Sequence, residues 1–434
     1  MTSTSPTPTI ITVTIESVAF GGKGVARLDG KVYFVEDGIA GDVVRVQVTK
    51  DSGRYAEGTI VGILTPSPHR GPSPCQWSTS CGGCQWMGVP YEKQLEWKRQ
   101  FVVTSLSRIG KIDHATPMEI YGSPDALAYR NRIFVRGLVQ PGQPVVMGYF
   151  RRSTRDLVPI TKCAIASPAL NAAMSAIESL KFPSTQELRF RMELQEIPEG
   201  GDRNIVLTLY PPEKVTPGLD PLLAAIRQLP MVAWAGYLSD LPSAPTLPFE
   251  AGVLRYATRP GLFQQVNLQL NQKLREWVHQ RVEAAKPARV LDLFCGSGNL
   301  SLQLADGRRY VEGIEFSKRA IETALGNVAV NRLFNTNYLS GDTEKHLWKC
   351  ARAGERFDMV IADPPREGMY GALIPLMKIA PARVIYVSCD PATLARDLAS
   401  LCKSTYKIIE IAAFDFFPNT YHVETVVLLG LVKP

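Results

Sequence analysis

The sequence predicts an α/β protein whose C-terminal part forms a mostly parallel sheet, preceded by a small β-barrel and a central, mostly-β segment. Between residues 10 and 64, short β-prone runs are separated by glycine turns. Three cysteines then fall within residues 75–84. From Gly261 onwards, apolar strand-like runs alternate with helical segments, as in parallel sheets. We therefore expect three domains, over residues 1–68, 69–260 and 261–434.

The composition is that of an ordinary globular chain. Of the 434 residues, 45% are hydrophobic and 21% are charged. No apolar run reaches the length of a membrane span, and the first residues lack the charged and apolar regions of a signal peptide. Eight cysteines in such a chain favour metal binding or catalysis over a disulfide framework. We expect a cytoplasmic protein that is monomeric and makes no membrane contact.

The N-terminal segment has the pattern of a small barrel. Residues 11–15 and 42–48 alternate apolar and polar side chains, and residues 31–35 are apolar. Glycine-rich stretches at 21–24 and 37–38 supply the turns between them. This spacing predicts an OB-like barrel of the oligonucleotide-binding kind. RNA contact and a barrel without a ligand both remain open for it.

Four cysteines of the central segment predict a metal site. Cys75, Cys81 and Cys84 lie close together, and Cys163 follows far downstream. Three close thiols with a distant fourth resemble the plant-type ferredoxin spacing. Zinc sites usually show two short pairs, and only Cys81 and Cys84 form one here. An iron–sulfur cluster is therefore favoured, with zinc as the alternative.

Positive charge is concentrated in the same segment. The net charge of the chain is +7, yet residues 75–160 carry 11 Lys and Arg against 6 Asp and Glu. Residues 91–111 have the pattern of an amphipathic helix. Beyond it, Arg130, Arg132 and Arg152 stand beside aromatic residues. Because arginine pairs with phosphate and stacks on bases, we expect these three to bind RNA, a solvated strand face being the alternative.

The C-terminal segment carries a Rossmann-like turn. An apolar strand that contains Asp292 runs into Phe294 and the GxG turn at residues 296–298, and residues 300–304 are expected to be helical. Ser301 replaces the third glycine of the dinucleotide-binding pattern. An acid before the turn suits a cationic ligand better than a diphosphate. Both observations favour S-adenosylmethionine.

Further acids follow at the ends of the next strands. Glu315 can accept both ribose hydroxyls of the cofactor. Asp342 could meet the adenine amino group, and Asp363 closes a fourth strand at the same edge. One such acid would be unremarkable. Acids at regular intervals around one GxG turn are a specific signal for a cofactor site.

The last strands suggest the chemistry. Cys389 follows an apolar strand and precedes Pro391, so the thiol lies at the carboxyl edge of the sheet, where ligands bind. The DPPR sequence that ends at Arg366 lacks the aromatic of amine methyltransferases, which makes carbon the better target. A thiolate that adds to C6 of uracil activates C5 towards a methyl donor, and a base must then remove the C5 proton. Glu424, amid apolar residues, is our candidate for that base.

Together these motifs resemble the RNA 5-methyluridine methyltransferases. The resemblance rests on the four cysteines, the FQQVN sequence at 263–267, the DLFCGSGN sequence at 292–299, DPPR at 363–366, SCDPAT at 388–393 and HVET at 422–425. It is strongest to bacterial 23S ribosomal RNA enzymes that carry a [4Fe-4S] cluster, and it includes the N-terminal barrel, which looks like a TRAM domain. SCDPAT is the most specific of these motifs.

The resemblance implies roles for matching positions. Cys389 would be the nucleophile and Glu424 the base, on a class I methyltransferase domain. The cofactor would be bound by residues spread over five motifs: Gln265, Phe294, Asn299, Glu315, Asp342 and Asp363. The cluster would be held by Cys75, Cys81, Cys84 and Cys163. Helix 91–111 would pack on the catalytic domain.

Three other functions remain open. The same chemistry on transfer RNA is the nearest. A non-catalytic RNA-binding or assembly protein is disfavoured by the presence of both Cys389 and Glu424. A cytosine-5 methyltransferase is disfavoured because the Pro-Cys motif of those enzymes is missing near Asp363.

Overall fold

A computed structural model describes residues 9–113, 118–180, 186–198, 201–211, 217–251 and 254–432. The first residues of the expected barrel domain and the last two of the C-terminal domain lie outside this range. The described strands form four sheets. None of the described helices combines the length and the apolar composition that a membrane-spanning helix requires.

The first sheet has six short strands. Its order is β1-β5-β6-β4-β3-β2, with β4 and β6 parallel and the other pairs antiparallel. Alternate residues such as Val13 and Ile15, or Val44 and Val46, point to one core because side chains alternate across a strand. The strands are β1 Ile10–Thr14, β2 Ser17–Val18, β3 Gly24–Leu28, β4 Lys31–Glu36, β5 Val43–Asp51 and β6 Tyr55–Thr65.

Helix α1, Tyr91–Ser105, follows the first sheet and runs directly into a π-helical turn, Leu106–Gly110. The predicted helix over 91–111 is thus present with a change of winding near its end. A short strand, β7 (Glu119–Tyr121), comes next.

The central sheet is a six-stranded layer covered by two helices on one face. Its order is β10-β9-β8-β11-β12-β13. Ile133 and Val135 of β8, with Met192 and Leu194 of β11, pack against the helices. The elements are β8 Arg132–Val139, β9 Val146–Phe150, β10 Leu157–Pro159, α2 Pro168–Glu178, β11 Leu188–Glu196, β12 Ile205–Tyr210, α3 Asp220–Arg227 and β13 Val232–Tyr237.

The C-terminal part begins with a hairpin and continues as strands that alternate with helices, as the sequence predicted. Its elements are β14 Leu247–Ala251, β15 Leu254–Thr258, α4 Leu268–Ala285, β16 Arg289–Leu293, β17 Tyr310–Glu315, α5 Lys318–Val330, β18 Thr336–Ser340, α6 Thr343–Ala353, β19 Met359–Ala362, α7 Leu373–Ile379, β20 Arg383–Ser388, α8 Pro391–Cys402, β21 Tyr406–Phe414 and β22 Glu424–Leu431. Short 3-10 turns lie at Pro217–Leu219, Leu238–Ser243, Leu302–Leu304 and Tyr370–Ala372.

Strands β16 to β22, together with β7, form an eight-stranded sheet of order β18-β17-β16-β19-β20-β22-β21-β7. Strands β14 and β15 form a separate two-stranded sheet. The five strands from β18 to β20 are parallel, and β22 runs antiparallel between β20 and β21. The strands are apolar on both sides because helices cover both faces: Val384 and Tyr386 belong to one core and Ile385 and Val387 to the other. The predicted mostly parallel α/β sheet is confirmed.

Two elements from early in the chain complete this sheet. Strand β7 pairs in parallel with β21 at the edge. Val102 of α1 and Leu106 of the π turn lie in the same apolar core as Leu394 and Leu398 of α8. Lys98 of α1 forms an ion pair with Asp415, and both side chains are fully buried. Helix α1, the π turn and β7 are therefore packed on the C-terminal sheet.

Candidate active site

The predicted reactive residues meet at one edge of the C-terminal sheet. Strands β16, β17, β19 and β20 end there, and β22 begins there because it runs in the opposite direction. Ser388, the last residue of β20, pairs with Thr425, so Cys389, which follows β20, comes beside Glu424, the first residue of β22. The sheet register thus brings a thiol and a carboxyl group from distant parts of the sequence to the same place.

The predicted GxG turn follows β16. Phe294 has a φ of 60° and Gly298 a φ of 87°, both in the left-handed region. A Cβ on Gly298 would lie 2.5 Å from Cγ of Leu302, so only glycine fits at this position. The expected helix over 300–304 is wrong, since the chain forms only the 3-10 turn Leu302–Leu304. Asp306 and Gly307, the latter at a φ of 82°, turn the chain too soon for a longer helix.

Glu315 is oriented by the backbone beside this turn. Its carboxylate accepts hydrogen bonds from the N–H of Gly296, at 3.3 Å, and of Ser317, at 2.8 Å. Asp342 lies at the same edge and is exposed, but it caps α6, accepting from the N–H of Lys345 at 2.9 Å. Glu315 is thus held against the turn, whereas Asp342 is partly engaged by its own helix.

Asp292 is an acid buried beneath the turn. One of its carboxyl oxygens has no hydrogen-bond partner. Burial, together with the negative charges of Asp363 and Glu315, raises the pKa of Asp292 to about 7. Three carboxyl groups close to one another in a partly desolvated space favour a cationic ligand over an anionic one.

The thiol of Cys389 and two carboxyl groups near it are shifted towards their protonated forms. Burial, the nearby carboxyl groups and especially Glu424 raise the pKa of Cys389 to about 12. Burial raises the pKa of Asp363 to about 6. Burial and the charge of Asp363 raise the pKa of Glu424 well above its usual range. Perturbed titratable groups that cluster at a sheet edge are typical of a reaction centre.

Two further side chains act on this centre that our sequence analysis did not assign. The exposed guanidinium of Arg366 lowers the pKa of both Cys389 and Glu424. Burial, with Arg366 and two other cations, lowers the pKa of His422 to about 4, so this imidazole is neutral near pH 7. The place of Arg366 in the DPPR sequence was the available signal for it.

The remaining predicted cofactor residues flank the turn. Asn299 exchanges two amide hydrogen bonds with Asn271 of α4, at 2.9 and 3.0 Å. Gln265 is buried in the segment between β15 and α4. Phe316, which follows Glu315, is 80% exposed, and our sequence analysis missed it. An aromatic residue directly after a strand-ending acid was the signal that could have found it.

The four predicted cysteine ligands come together beside the central sheet. The loop that carries Cys81 and Cys84 lies on β9, where Gly82 N–H donates to the carbonyl of Phe150 at 3.0 Å. Asn171 of α2 holds the backbone of Cys163 through hydrogen bonds of 2.8 and 3.0 Å. Burial and the negative charges of the other three cysteines raise the pKa of Cys84. The three other cysteines therefore lie close enough to Cys84 for their charges to act on its thiol.

The spacing of these sulfurs bears on which metal they fit. Four sulfurs around one zinc ion at about 2.3 Å would lie within roughly 4 Å of one another. Among the described residues, only Glu312, His346 and Cys350 bring three potential ligand atoms within 4.8 Å of one another. No three of the four cysteine sulfurs meet that distance. Gly83 N–H, 3.4 Å from Sγ of Cys81, adds the kind of N–H···S contact that stabilises a bound thiolate.

The compact trio is already satisfied by hydrogen bonds. Nε2 of His346 lies 2.8 Å from Glu312 and 3.5 Å from Sγ of Cys350. Glu312 also accepts from Tyr310 at 3.1 Å and from Asn337 at 3.5 Å. This cluster joins β17 to α6.

The three predicted RNA-binding arginines all have partners within the chain. Arg130 lies over the ring of Phe417 and donates to the carbonyl of Arg132. Arg132 forms an ion pair with the buried Glu193. Arg152 forms an ion pair with Asp37 of the first sheet and donates to the carbonyl of Cys84 at 2.7 Å. Arg152 thus ties the cysteine loop to the first sheet.

Two family models match the chain. The model described as tRNA (Uracil-5-)-methyltransferase matches residues 244–432. The model of the TRAM domain matches residues 9–61, which is the range of the first sheet.

Relatives of known name match over nearly the whole chain. An uncharacterized RNA methyltransferase of Thermosynechococcus vestitus is 32% identical, over 96% of this chain and 97% of its own. A 23S rRNA (uracil(1939)-C(5))-methyltransferase of Pseudomonas savastanoi is also 32% identical, over 97% of this chain and 94% of its own. Among solved structures, the Pyrococcus abyssi tRNA (uracil-54, C5)-methyltransferase in complex with S-adenosyl-L-homocysteine has a TM-score of 0.70 at 24% identity. That similarity covers 96% of this chain and 99% of the other, and it shows a shared fold.

Proposed function

The chain belongs to the RNA (uracil-5-)-methyltransferase family and is an S-adenosylmethionine-dependent enzyme, and we propose that it methylates C5 of a uridine in 23S ribosomal RNA with Cys389 as a covalent nucleophile. The observation that carries this proposal is the position of Cys389 beside Glu424, with Asp363 near them, at the carboxyl edge of the sheet. A thiol, a carboxyl base and a cofactor turn at one edge are what this chemistry requires.

The proposed reaction begins with deprotonation of the Cys389 thiol. The proton of Cys389 passes to an ionised carboxylate, and Sγ bonds to C6 of the uracil while the C5–C6 π electrons move towards C5 and O4. C5 then bonds to the methyl carbon, the sulfonium–methyl bond breaks, and S-adenosylhomocysteine leaves with that electron pair. Glu424 takes the C5 proton, the C5–C6 double bond re-forms, and the C6–sulfur bond breaks to release the thiolate of Cys389. One proton is released to solvent per methyl group transferred.

The raised pKa values give the two acids different tasks. Because burial raises the pKa of Asp363 only to about 6, its carboxylate is mostly ionised near pH 7 and can receive the thiol proton. Burial disfavours the ionised form of Glu424 in the free protein. The positive sulfonium of the methyl donor, bound at this edge, favours the ionised form of Glu424 and so prepares it as a base.

The cofactor pocket is proposed to lie over the GxG turn. Glu315 is the proposed partner of the ribose hydroxyls, since the backbone N–H groups of Gly296 and Ser317 already orient it. The exposed ring of Phe316 is placed to stack on the adenine. The other residues proposed to line the pocket are Gln265, Phe294, Asn299, Asp342 and Asp363.

Ribosomal RNA is the favoured substrate, and transfer RNA is the second candidate. Relatives named as 23S ribosomal RNA enzymes match at 30–32% identity over almost the whole chain, including the first sheet and the cysteine loop. The transfer RNA enzyme that matches in fold is less similar, at 24% identity. We also propose that the arginines Arg130, Arg132 and Arg152 support RNA binding, with Arg132 and Arg152 acting partly through their intramolecular ion pairs.

We propose that Cys75, Cys81, Cys84 and Cys163 hold a [4Fe-4S] cluster. The four half-buried thiols, the N–H···S contact to Cys81 and the sequence pattern of three close cysteines with a distant fourth support this assignment. Such a cluster would lock the cysteine loop onto β9 and Cys163. Its proposed task is to fix that loop beside the first sheet, where Arg152 also reaches Asp37.

Trapping with modified RNA tests the nucleophile. A 5-fluorouridine in the substrate position gives an intermediate with no C5 proton to remove, so the protein should stay attached to the RNA. We expect a covalent adduct at Cys389 by mass spectrometry of the digested complex. Cys389→Ala should give no adduct and lose at least about 10³-fold in methyl transfer. Product formation by Cys389→Ala at the wild-type rate would contradict the proposal.

The metal content tests the cluster. Protein purified without oxygen should be brown and contain about four iron and four sulfide per chain. Cys163→Ala should lose the colour, whereas Cys402→Ala, which removes a thiol from α8 of the catalytic domain, should keep it. Colourless protein with one zinc per chain would overturn the assignment.

A further inference from the structure

Among the residues that the structure describes, one face of the central sheet carries no α-helix. Helices α2 and α3 pack on the face that contains Ile133 and Val135. The alternate side chains of β8 point the other way, and of these Phe134 is 36% exposed and Arg136 is exposed as well. The pairing of β8 with β11 sets Arg191 directly opposite Arg136 on this open face.

Arg136 and Arg191 form an uncompensated pair of positive charges. Within the described residues, neither guanidinium makes an ion pair with an acid, whereas the acids nearby are already engaged. Glu193 is paired with Arg132 and accepts from Tyr210 at 2.6 Å. Burial and the charge of Arg191 lower the pKa of Arg136. Like charges directly opposite each other destabilise a sheet, so an anion between them would be favoured.

Aromatic rings surround the two arginines. The guanidinium of Arg191 lies 4.2 Å from the ring centre of Phe134 and 4.9 Å from that of Tyr210. The guanidinium of Arg136 lies 4.7 Å from the ring centre of Phe150. These contacts place both guanidinium groups beside aromatic rings on this face. Arginines and aromatic rings on a sheet are the groups on which proteins stack unpaired bases.

The open face continues towards the reaction centre. At its end, Arg132 donates to the carbonyl of Leu262 at 2.8 Å, and Gln195 donates to Gln264. The segment that contains Leu262 and Gln264 also carries Gln265 of the proposed cofactor pocket. Because Glu193 and Gln195 are buried at this end, the open part of the face stops beside the segment that leads to the proposed cofactor pocket.

We propose that this face, formed by Phe134, Arg136, Phe150, Arg191 and Tyr210, binds a single-stranded segment of the substrate RNA. Arg136 and Arg191 clamp one backbone phosphate, and an adjacent base stacks on Phe134 and Arg191. The assignment rests on the proposed function, because it takes RNA to be the substrate. It adds a binding platform to the three arginines that the sequence indicated.

Binding of a uridine-containing single-stranded RNA oligonucleotide to the full-length protein, measured by fluorescence anisotropy at several salt concentrations, tests the platform. Arg136→Ala and Arg191→Ala should each weaken binding about tenfold and reduce the slope of log Kd against log salt by about 0.7. Arg136→Lys should keep the slope. Phe134→Leu should weaken binding about tenfold with the slope unchanged, because it removes stacking and no charge.

Arg227→Ala is the matched control, since this arginine lies on α3, on the covered side of the same sheet. It should leave the affinity and the salt slope unchanged. Thermal melting and S-adenosylmethionine binding confirm that each variant is folded. None of the substituted side chains belongs to the carboxyl edge, so kcat at saturating RNA should stay at the wild-type value while KM rises.

The outcomes separate the two proposals. If Arg136→Ala, Arg191→Ala and Phe134→Leu bind the RNA with wild-type affinity and slope, the platform is overturned, and methyl transfer by the wild-type protein still supports the enzyme mechanism. If these variants bind weakly as expected but the wild-type protein methylates no uridine in ribosomal or transfer RNA, the platform stands and the proposed function fails.

Discussion

Cys389 and Glu424 occupy a space in which the charged forms of both are disfavoured. Burial raises the pKa of Cys389 to about 12 and raises that of Glu424 as well. Each must lose its proton for the proposed chemistry. The free protein therefore keeps its nucleophile and its base inactive until RNA and the cationic methyl donor are bound, which limits reactions of the thiol with other compounds.

This state predicts a rising pH profile. Because both groups act in their deprotonated forms and both pKa values are raised, kcat/KM should increase from about pH 6 to about pH 9 without a plateau near neutral pH. Methyl incorporation at low RNA concentration measures it. Arg366→Gln removes a cation that lowers both pKa values, so it should shift the profile to higher pH. A profile that is flat above pH 7 would contradict this account.

Asp292 predicts a second pH effect, on stability. The folded-state pKa of about 7 exceeds the ordinary value of 3.8, so the folded protein holds this proton more tightly than the unfolded chain. Stability linked to Asp292 is thus fully present below about pH 4 and is lost as the pH rises to about 7. Asp292→Asn should therefore raise the free energy of unfolding by about 1–3 kcal/mol more at pH 8 than at pH 5, where only part of the penalty has developed.

Asp306→Asn is a control whose effect on stability should depend on pH in the opposite direction. Burial would raise the pKa of Asp306, but hydrogen bonds from Arg308 lower it overall. Its contribution to stability is therefore present at neutral pH and lost in acid, so the substitution should destabilise slightly at pH 8. Denaturant unfolding at both pH values measures both variants. Equal effects of Asp292→Asn at pH 5 and pH 8 would show that its charge is not the cause.

Individual residues also mark the limits of sequence reasoning. The position of Cys389 could be predicted because an apolar strand followed by proline must end there. The partner of Arg132 could not, because Glu193 lies on a strand 61 residues later and only the sheet register brings them together. The same applies to Arg136 and Arg191, since a single strand does not show which charge will stand opposite.

At the scale of elements, helix α1 shows most clearly that tertiary contacts decide where an element packs. Its sequence predicts an amphipathic helix, and the structure joins it to the catalytic core through Val102 and through Lys98. Burial lowers the pKa of Lys98, and Asp415 opposes that effect. Lys98 also donates to the carbonyl of Phe417 at 3.0 Å. The helix is thus anchored by a buried cation rather than by apolar packing alone.

Breaking this ion pair should be costly. Lys98→Met leaves the carboxylate of Asp415 buried without its cation, so it should destabilise the protein by about 3–5 kcal/mol. The double variant Lys98→Met/Asp415→Asn removes both charges and should recover a large part of that loss. Thermal or denaturant unfolding measures both. If the double variant were less stable than Lys98→Met, the charge pair would not be the cause of the loss.

Strand β7 shows why an element can be missed entirely. It has three residues and no distinctive pattern, and it exists because β21 offers an open edge. In contrast, β16, β17, β19 and β20 could be predicted, since strands buried on both faces have continuous apolar sequences. The prediction of a helix after the GxG turn was wrong for a local reason, because the turn at Asp306 and Gly307 ends that segment early.

At the scale of the whole molecule, we keep residues 1–68, 69–260 and 261–434 as the proposed domains, with α1, the π turn and β7 packed on the third. A fragment of residues 261–434 would lack α1, β7 and Lys98, and it would leave Asp415 and an apolar surface uncovered. We expect it to aggregate or to melt without cooperativity. A fragment of residues 69–434 should melt cooperatively. Circular dichroism during heating measures both, and cooperative melting of the shorter fragment would contradict this prediction.

The contact between Lys98 and Asp415 joins residues 317 positions apart, and Gln94 reaches Asn419 across 325 positions. A ribosome therefore produces α1 long before the residues that cover it exist. Until then, the apolar side of α1 is exposed on the nascent chain, where chaperones can bind it and where it can form non-native contacts. The catalytic unit can close only when its last strand, β22, has left the exit tunnel.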